Sequence, residues 1–116
     1  MAQDQVDALL VSDEGEHFAY RIVLVELAAK SRIPTLYPYR EFVEVGGLMA
    51  YSIDLADDVS RRAAGQIAEI LKGTRPGEIP FYQPTRFDLT INLKTAKALG
   101  LEIPATLLAR ADNVIE

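Results

Sequence analysis

Val6-Asp7-Ala8-Leu9-Leu10-Val11, followed by Ser12-Asp13-Glu14-Gly15, a helical stretch and then Ile33-Pro34-Thr35-Leu36-Tyr37, decides the fold. The first run is short, apolar and stopped by polar residues and a glycine, the pattern of a parallel strand buried on both faces. From about Glu16 to Ser31 the residues Ala19, Ile22, Val23, Leu27 and Ala28 recur at helical spacing, and Lys30 and Arg32 put positive charge where the helix dipole favours it. A second strand over Ile33–Tyr37 completes a right-handed strand–helix–strand crossover.

Downstream, Glu41 to Val45 reads as a short helical turn, Gly46-Gly47 as a bend, and Leu48 to Ile53 as a third strand. Asp54 is placed to cap a helix reaching Lys72, in which Leu55, Val59, Ala63, Ile67 and Leu71 repeat every fourth residue and Gly73 is the stop. Pro76, Gly77, Pro80 and Pro84 make Thr74 to Thr85 an exposed connection. Phe87, Leu89 and Ile91 alternate with Asp88, Thr90 and Asn92, which predicts a half-buried strand, antiparallel or at a sheet edge. Asn92 caps a helix that ends at Gly100, and Pro104 opens a last helix to Ala111. The expected fold class is α/β, a small, mainly parallel sheet flanked by helices.

A chain of 116 residues is read as a single domain, 1–116, too short for two lobes enclosing a ligand. The net charge of −5, with scattered Lys and Arg, argues against a nucleic-acid surface, which needs clustered cations. Without cysteine there are no disulfides and no thiolate metal sites. No apolar run approaches the roughly 18 to 20 residues of a spanning helix. The Met1–Gln5 start lacks a basic and an apolar region, so no export signal is expected.

Four stretches carry a likeness to known sequences: Gln83-Pro84-Thr85-Arg86-Phe87-Asp88-Leu89-Thr90-Ile91-Asn92-Leu93-Lys94-Thr95-Ala96-Lys97-Ala98-Leu99-Gly100-Leu101-Glu102-Ile103-Pro104, Arg40-Glu41-Phe42-Val43-Glu44-Val45-Gly46-Gly47-Leu48-Met49-Ala50-Tyr51, Arg61-Arg62-Ala63-Ala64-Gly65 and Asp7-Ala8-Leu9-Leu10-Val11. Together they resemble the C-terminal portion of the substrate-binding proteins of ABC importers, of the tryptophan/tyrosine type with a type I periplasmic-binding-protein fold. The resemblance implies part of a Rossmann-like lobe, a small solute such as an aromatic amino acid, capture by closure of two lobes, and an ABC permease as partner. It implies a periplasmic location; a natural full-length product without an export signal is instead expected to be cytoplasmic. The 55–72 helix would then pack on the other lobe, and its apolar stripe would otherwise drive homo-oligomers, including exchange of that helix between chains. Related sequences usually read Ser-Tyr-Gly-Pro-Asp where this one has Ala50-Tyr51-Ser52-Ile53-Asp54, and carry an aromatic pair where this one has Glu14-Gly15-Glu16-His17.

Ligands of open parallel sheets gather beyond the carboxyl ends of the strands. Ser12 and Asp13 follow the first strand, Tyr37, Tyr39 and Arg40 the second, and Tyr51 lies in the third. They offer a hydroxyl and a guanidinium for a carboxylate, an anion for an ammonium group, and aromatic walls, with Arg40 the expected anchor. The core alternative for Tyr37 is simple packing. His17, the one histidine, reads as a helix-start residue beside an acidic loop rather than a metal ligand or general base. No nucleophile with a paired His and carboxylate and no phosphate cradle can be assembled, so neither an enzyme nor a cofactor is expected. The alternative function is a stand-alone α/β interaction or regulatory module that has lost transport.

Overall fold

In the computed structural model β1 (Leu9–Leu10), β2 (Thr35–Tyr37) and β3 (Met49–Ser52) run parallel, with Leu10 opposite Leu36 and Tyr37 opposite Ala50. β4 (Asp88–Asn92) joins β3 antiparallel, Ala50 opposite Thr90, and β5 (Asn113–Ile115) joins β4 parallel. The order is β1-β2-β3-β4-β5. Residues 6–116 are described; the expectation that residues 1–5 carry no export signal lies outside them. The mainly parallel α/β sheet agrees with the fold read from the sequence.

Contacts divide the chain into two compact units. The first comprises residues up to Ser52 and Asp88–Glu116 and holds the sheet with α1 (Gly15–Ala19), α2 (Arg21–Ser31), α3 (Arg40–Glu44), α5 (Leu93–Leu99) and α6 (Ala105–Leu108). Its core joins Val11, Val25, Tyr37, Phe42, Val43 and Ala50, with Leu9, Phe18 and Ile115 packed against them. Side chains alternate across a pleated sheet, so Leu9, Tyr37 and Ala50 share the face that α2 and α3 cover.

Gly47 is where this packing is tightest. A Cβ there would stand 2.8 Å from the Phe42 carbonyl oxygen and 2.8 Å from the Tyr37 ring. The Gly47 amide donates to that same carbonyl at 2.9 Å, which closes the turn after α3. Beyond it, Asn92 caps α5 by accepting from the Thr95 amide at 3.0 Å, while the Thr95 hydroxyl donates to the Gly46 carbonyl at 2.9 Å. Gly100 ends α5 at φ 73°, a left-handed position that costs glycine nothing.

The second unit, Ile53–Phe87, opens with Asp54 accepting from the Ala56 amide at 2.9 Å, the cap expected from the sequence. Its helix starts as π-type turns, Leu55–Arg61, continues as α4 (Arg62–Leu71) and stops at Gly73, φ 110°. No residue of α4 is buried, and Leu71 is 82 % exposed. The following segment includes one 3₁₀ turn, Pro76–Glu78.

Several expectations are corrected. The first strand is two residues long and not buried on both faces, since Leu10 is 73 % exposed. The helix over 16–31 breaks at Tyr20, and Ile22, Val23 and Leu27 face outward while Val25 is buried and Leu24 packs on the core. Arg21–Ser31 is apolar nearly all round, so spacing alone does not choose its buried side. β4 runs antiparallel to β3, one of the two placements expected, but it is more than half-buried: it lies between β3 and β5, and both Thr90 and Ile91 are buried. The last helix is only Ala105–Leu108, and the chain then makes β5, which the sequence does not announce. Asp112 sets that strand's place, its carboxylate accepting from the Leu89 amide at 2.8 Å and its amide donating to the Leu89 carbonyl at 2.9 Å.

Gly47→Ala is expected to lower stability by about 1–3 kcal/mol, because one of the blocking atoms is backbone and cannot swing aside. Asn92→Ala is expected to cost about 1 kcal/mol through the lost cap. Urea unfolding followed by circular dichroism measures both, and an unchanged midpoint for Gly47→Ala would contradict the close packing described.

Candidate functional site

Because β1, β2 and β3 are parallel, their carboxyl ends lie along one edge of the sheet, and the loops that follow them meet there. The Tyr39 hydroxyl donates to the Asp13 carboxylate at 2.5 Å, across 26 residues of sequence, and ties the loop after β1 to the loop after β2. The Tyr39 ring stands edge-on to Phe18, centroids 5.8 Å apart, and Phe18 stands edge-on to Phe42 at 6.2 Å. Edge-to-face contacts of this kind are favourable beyond their buried area. The Arg21 guanidinium lies 5.0 Å from the Phe18 ring centroid and donates to the Phe18 carbonyl at 3.1 Å.

Ser12 sits in the same loop, its hydroxyl 3.3 Å from Glu14 and 3.2 Å from His17 Nδ1, which is also 3.1 Å from the Ser12 carbonyl. His17 thus closes the loop onto the start of α1. Among the described residues no group of three or more His, Cys, Asp or Glu is arranged to hold a metal ion.

The structure brings together Ser12, Asp13 and Tyr39 from the sequence-predicted set. Arg40 turns to Glu44, one helical turn on, at 2.9 Å. Tyr37 is 2 % exposed and stacked on Phe42 at 5.1 Å, so its ring belongs to the core. Tyr51, 58 % exposed, projects from the sheet face opposite to Tyr37, because its neighbour Ala50 pairs with Tyr37. The ring that lies beside Tyr39 is Phe18, which falls in the helical stretch from Glu16 and is not among the candidate residues of the sequence analysis. Its signal was an aromatic residue five positions beyond Asp13 on a short helix.

Burial pushes the Tyr37 hydroxyl above the usual tyrosine range. Tyr39 is pushed up to about 12, first by burial, then by its hydrogen bond to the Asp13 carboxylate and by the charges of Asp13 and Glu41. A phenol raised in this way stays a donor throughout the neutral range.

The second unit has its own open groove of about 710 Å³ beside α4, walled by Val59, Ala63, Ile70, Ile79 and Phe81. Three of its polar side chains meet one another: the Tyr82 hydroxyl lies 3.3 Å from Asp58, and the Arg62 guanidinium lies over the Tyr82 ring at 3.1 Å. The strand-end loops, by contrast, present exposed polar groups on a packed scaffold, the arrangement in which ligand contacts are usually built.

The family described as ABC transporter substrate binding protein matches residues 1–115. The chain belongs to this family. Among solved structures it is similar to a Streptococcus pneumoniae ABC domain in complex with L-Trp, at 31% identity and TM-score 0.86, over 96% of this chain and 38% of that one. A conserved domain protein of Vibrio cholerae O1 biovar El Tor is similar at 25% identity and TM-score 0.87, over 93% of this chain and 36% of that one. A ligand-free, open substrate-binding protein with adhesive properties from Clostridium difficile, at 22% identity and TM-score 0.61 over 95% of this chain, shares the fold. The chain thus spans only 36–38% of the length of these solved structures. No curated protein sequence matches it. Among the described residues no helix is long and apolar enough to cross a membrane.

In an ultraviolet phenolate titration Tyr39 is expected to ionise well above the ordinary tyrosine range, and Tyr39→Phe to remove that late step. The folded chain then holds a proton that the unfolded chain loses near pH 10, so the Tyr39 contribution to stability is full below about pH 10 and fades as pH rises towards 12. A Tyr39 step at the same pH as an exposed tyrosine would contradict the Asp13 bond.

Proposed function

We propose that this chain is the C-terminal portion of a solute-binding component of an ABC uptake system, periplasmic in the intact system and delivering to an ABC permease. The carrying observation is the family match over residues 1–115, together with the L-Trp-bound relative at 31% identity. The solute is a small molecule such as an aromatic amino acid, and capture is by closure of two lobes, with this chain supplying part of one. Ser12, Asp13, Tyr39, Arg40 and Tyr51 form its ligand surface, and Tyr37 supports that surface from the core. No catalysis is part of this reading.

The helix over 55–72 is assigned to packing on the other lobe. Its stripe supports that assignment: Val59, Ile67 and Leu71 are exposed apolar residues on a helix with nothing buried in α4. Alone, the chain is expected to cover them by self-association, including exchange of the helix between chains.

Sedimentation velocity across a wide concentration range is expected to show association, and Ile67→Glu with Leu71→Glu to restore a monomer. A wild-type monomer at high micromolar concentration would contradict it. In calorimetry the free chain is expected to bind tryptophan, tyrosine and phenylalanine far more weakly than micromolar. A monomer reaching micromolar affinity, about −8 kcal/mol, would overturn the two-lobe requirement.

A further inference from the structure

The groove of the second unit has no part in the solute-binding reading. Every residue that lines it lies between Ile53 and Pro84, so it is built within that unit alone. One wall is α4, and the other is the strap that returns after Gly73, in which Pro76, Pro80 and Pro84 restrict the backbone. We propose that this groove is a second binding site, separate from the strand-end surface, for a small monocarboxylic acid with an extended apolar body, whose carboxylate meets the Arg62 guanidinium. The proposal goes beyond the solute-binding reading and does not depend on it.

The groove is polarised along its length. Arg62, Gln66 and Ile70 follow one another at four-residue spacing on one side of α4, so that wall passes from a cation through an amide to an apolar side chain. The strap runs the other way. Tyr82 meets Asp58 and Arg62 towards the start of the helix, while Pro76 and Ile79 come soon after the turn that follows Leu71. The polar end therefore lies at Arg62 and Tyr82, and the apolar end at Ile70 and Ile79. The volume of about 710 Å³ falls within the roughly 300–1,000 Å³ of small-molecule sites.

Arg62 decides which head group fits. Its guanidinium stands 3.1 Å from the Tyr82 ring centroid, and among the described residues no carboxylate lies within ion-pair distance of it. Stacking uses the flat face of a guanidinium and leaves the N–H donors in its plane for a carboxylate. The ring also restrains the side chain, so less freedom is lost when an anion binds. Asp58, the other charged residue of the groove, accepts from the Tyr82 hydroxyl at 3.3 Å. An anion entering from the Gln66 side reaches Arg62 first, with Asp58 a helical turn further on. The α-ammonium of an amino acid would be carried against Arg62 as a like charge, which favours acids without one. Ile67 and Leu71, assigned above to the other lobe, do not line the groove.

The test is amide NMR of the full chain titrated separately with octanoate, 1-octanol and octylammonium, each below the concentration at which it self-assembles. Octanoate is expected to shift resonances of residues 58–70 and 76–84 and to bind about threefold or more tightly than octylammonium. Arg62→Gln is expected to weaken octanoate about threefold or more, leaving 1-octanol binding unchanged and Tm nearly so, because Arg62 is exposed. Ile79→Ser is expected to weaken octanoate and 1-octanol alike. An octanoate response that Arg62→Gln does not weaken, or that octylammonium matches, removes the preference for an acid and overturns the proposal. Shifts confined to other residues, or none, overturn the site. Groove resonances that move with protein concentration alone and ignore octanoate give the groove to a second copy of the chain, and overturn it too.

Discussion

Where a side chain at position 47 would stand, the Phe42 carbonyl and the Tyr37 ring already stand. This approach, possible only for glycine, locks α3 against β2 and β3 and stacks Tyr37 on Phe42. With Tyr37 anchored in the core, the chain leaves β2 in the direction that sets Tyr39 beside Phe18 and within reach of Asp13. The strand-end surface is thus a consequence of core packing two residues earlier, and a change at Gly47 would be felt at Asp13 without touching it.

The elements that local chemistry determines were legible in the sequence. Asp54 and Asn92 cap as their side chains allow, Gly73 and Gly100 end helices at left-handed positions, and the strands over 35–37 and 49–52 fall within the segments read for them. The α/β class followed from those segments, and the family from the likeness of residues 7–11, 40–51, 61–65 and 83–104 to known sequences. What local chemistry does not determine was hidden. The outward side of α2 could not be told from its inward side, because apolar residues lie on both, and β5 is held beside β4 by pairings, Asp112 with Leu89 among them, that join residues 23 apart in sequence. At the candidate site, Asp13 and Tyr39 were legible as strand-end residues. Their bond was not, since it joins positions 26 apart, and neither was the Glu44 partner that engages Arg40, though the two are one helical turn apart.

The surfaces left apolar carry their own information. Across the sheet, Leu10, Leu36, Met49, Ile91 and Val114 form one row on the face opposite to Tyr37. Ile91 is fully buried, but Leu10 and Val114 are exposed, although parallel sheets are ordinarily covered on both faces. In the second unit the stripe of α4 is likewise uncovered. The chain spans 36–38% of the length of the solved structures it resembles, and these uncovered surfaces support the proposal that it is part of a larger binding protein. The proposed weakness of ligand capture by the chain alone has the same origin, since a surface on one lobe leaves a bound solute half solvated.

The central claim is that a solute meets this chain at the loops following β1 and β2. Photo-crosslinking with a diazirine-bearing phenylalanine, followed by peptide mapping, tests it most directly. Adducts confined to residues 12–18 and 37–44 and suppressed by excess L-tryptophan are the expected result; adducts that accumulate instead in the groove of residues 53–87, or that L-tryptophan does not suppress, would contradict it.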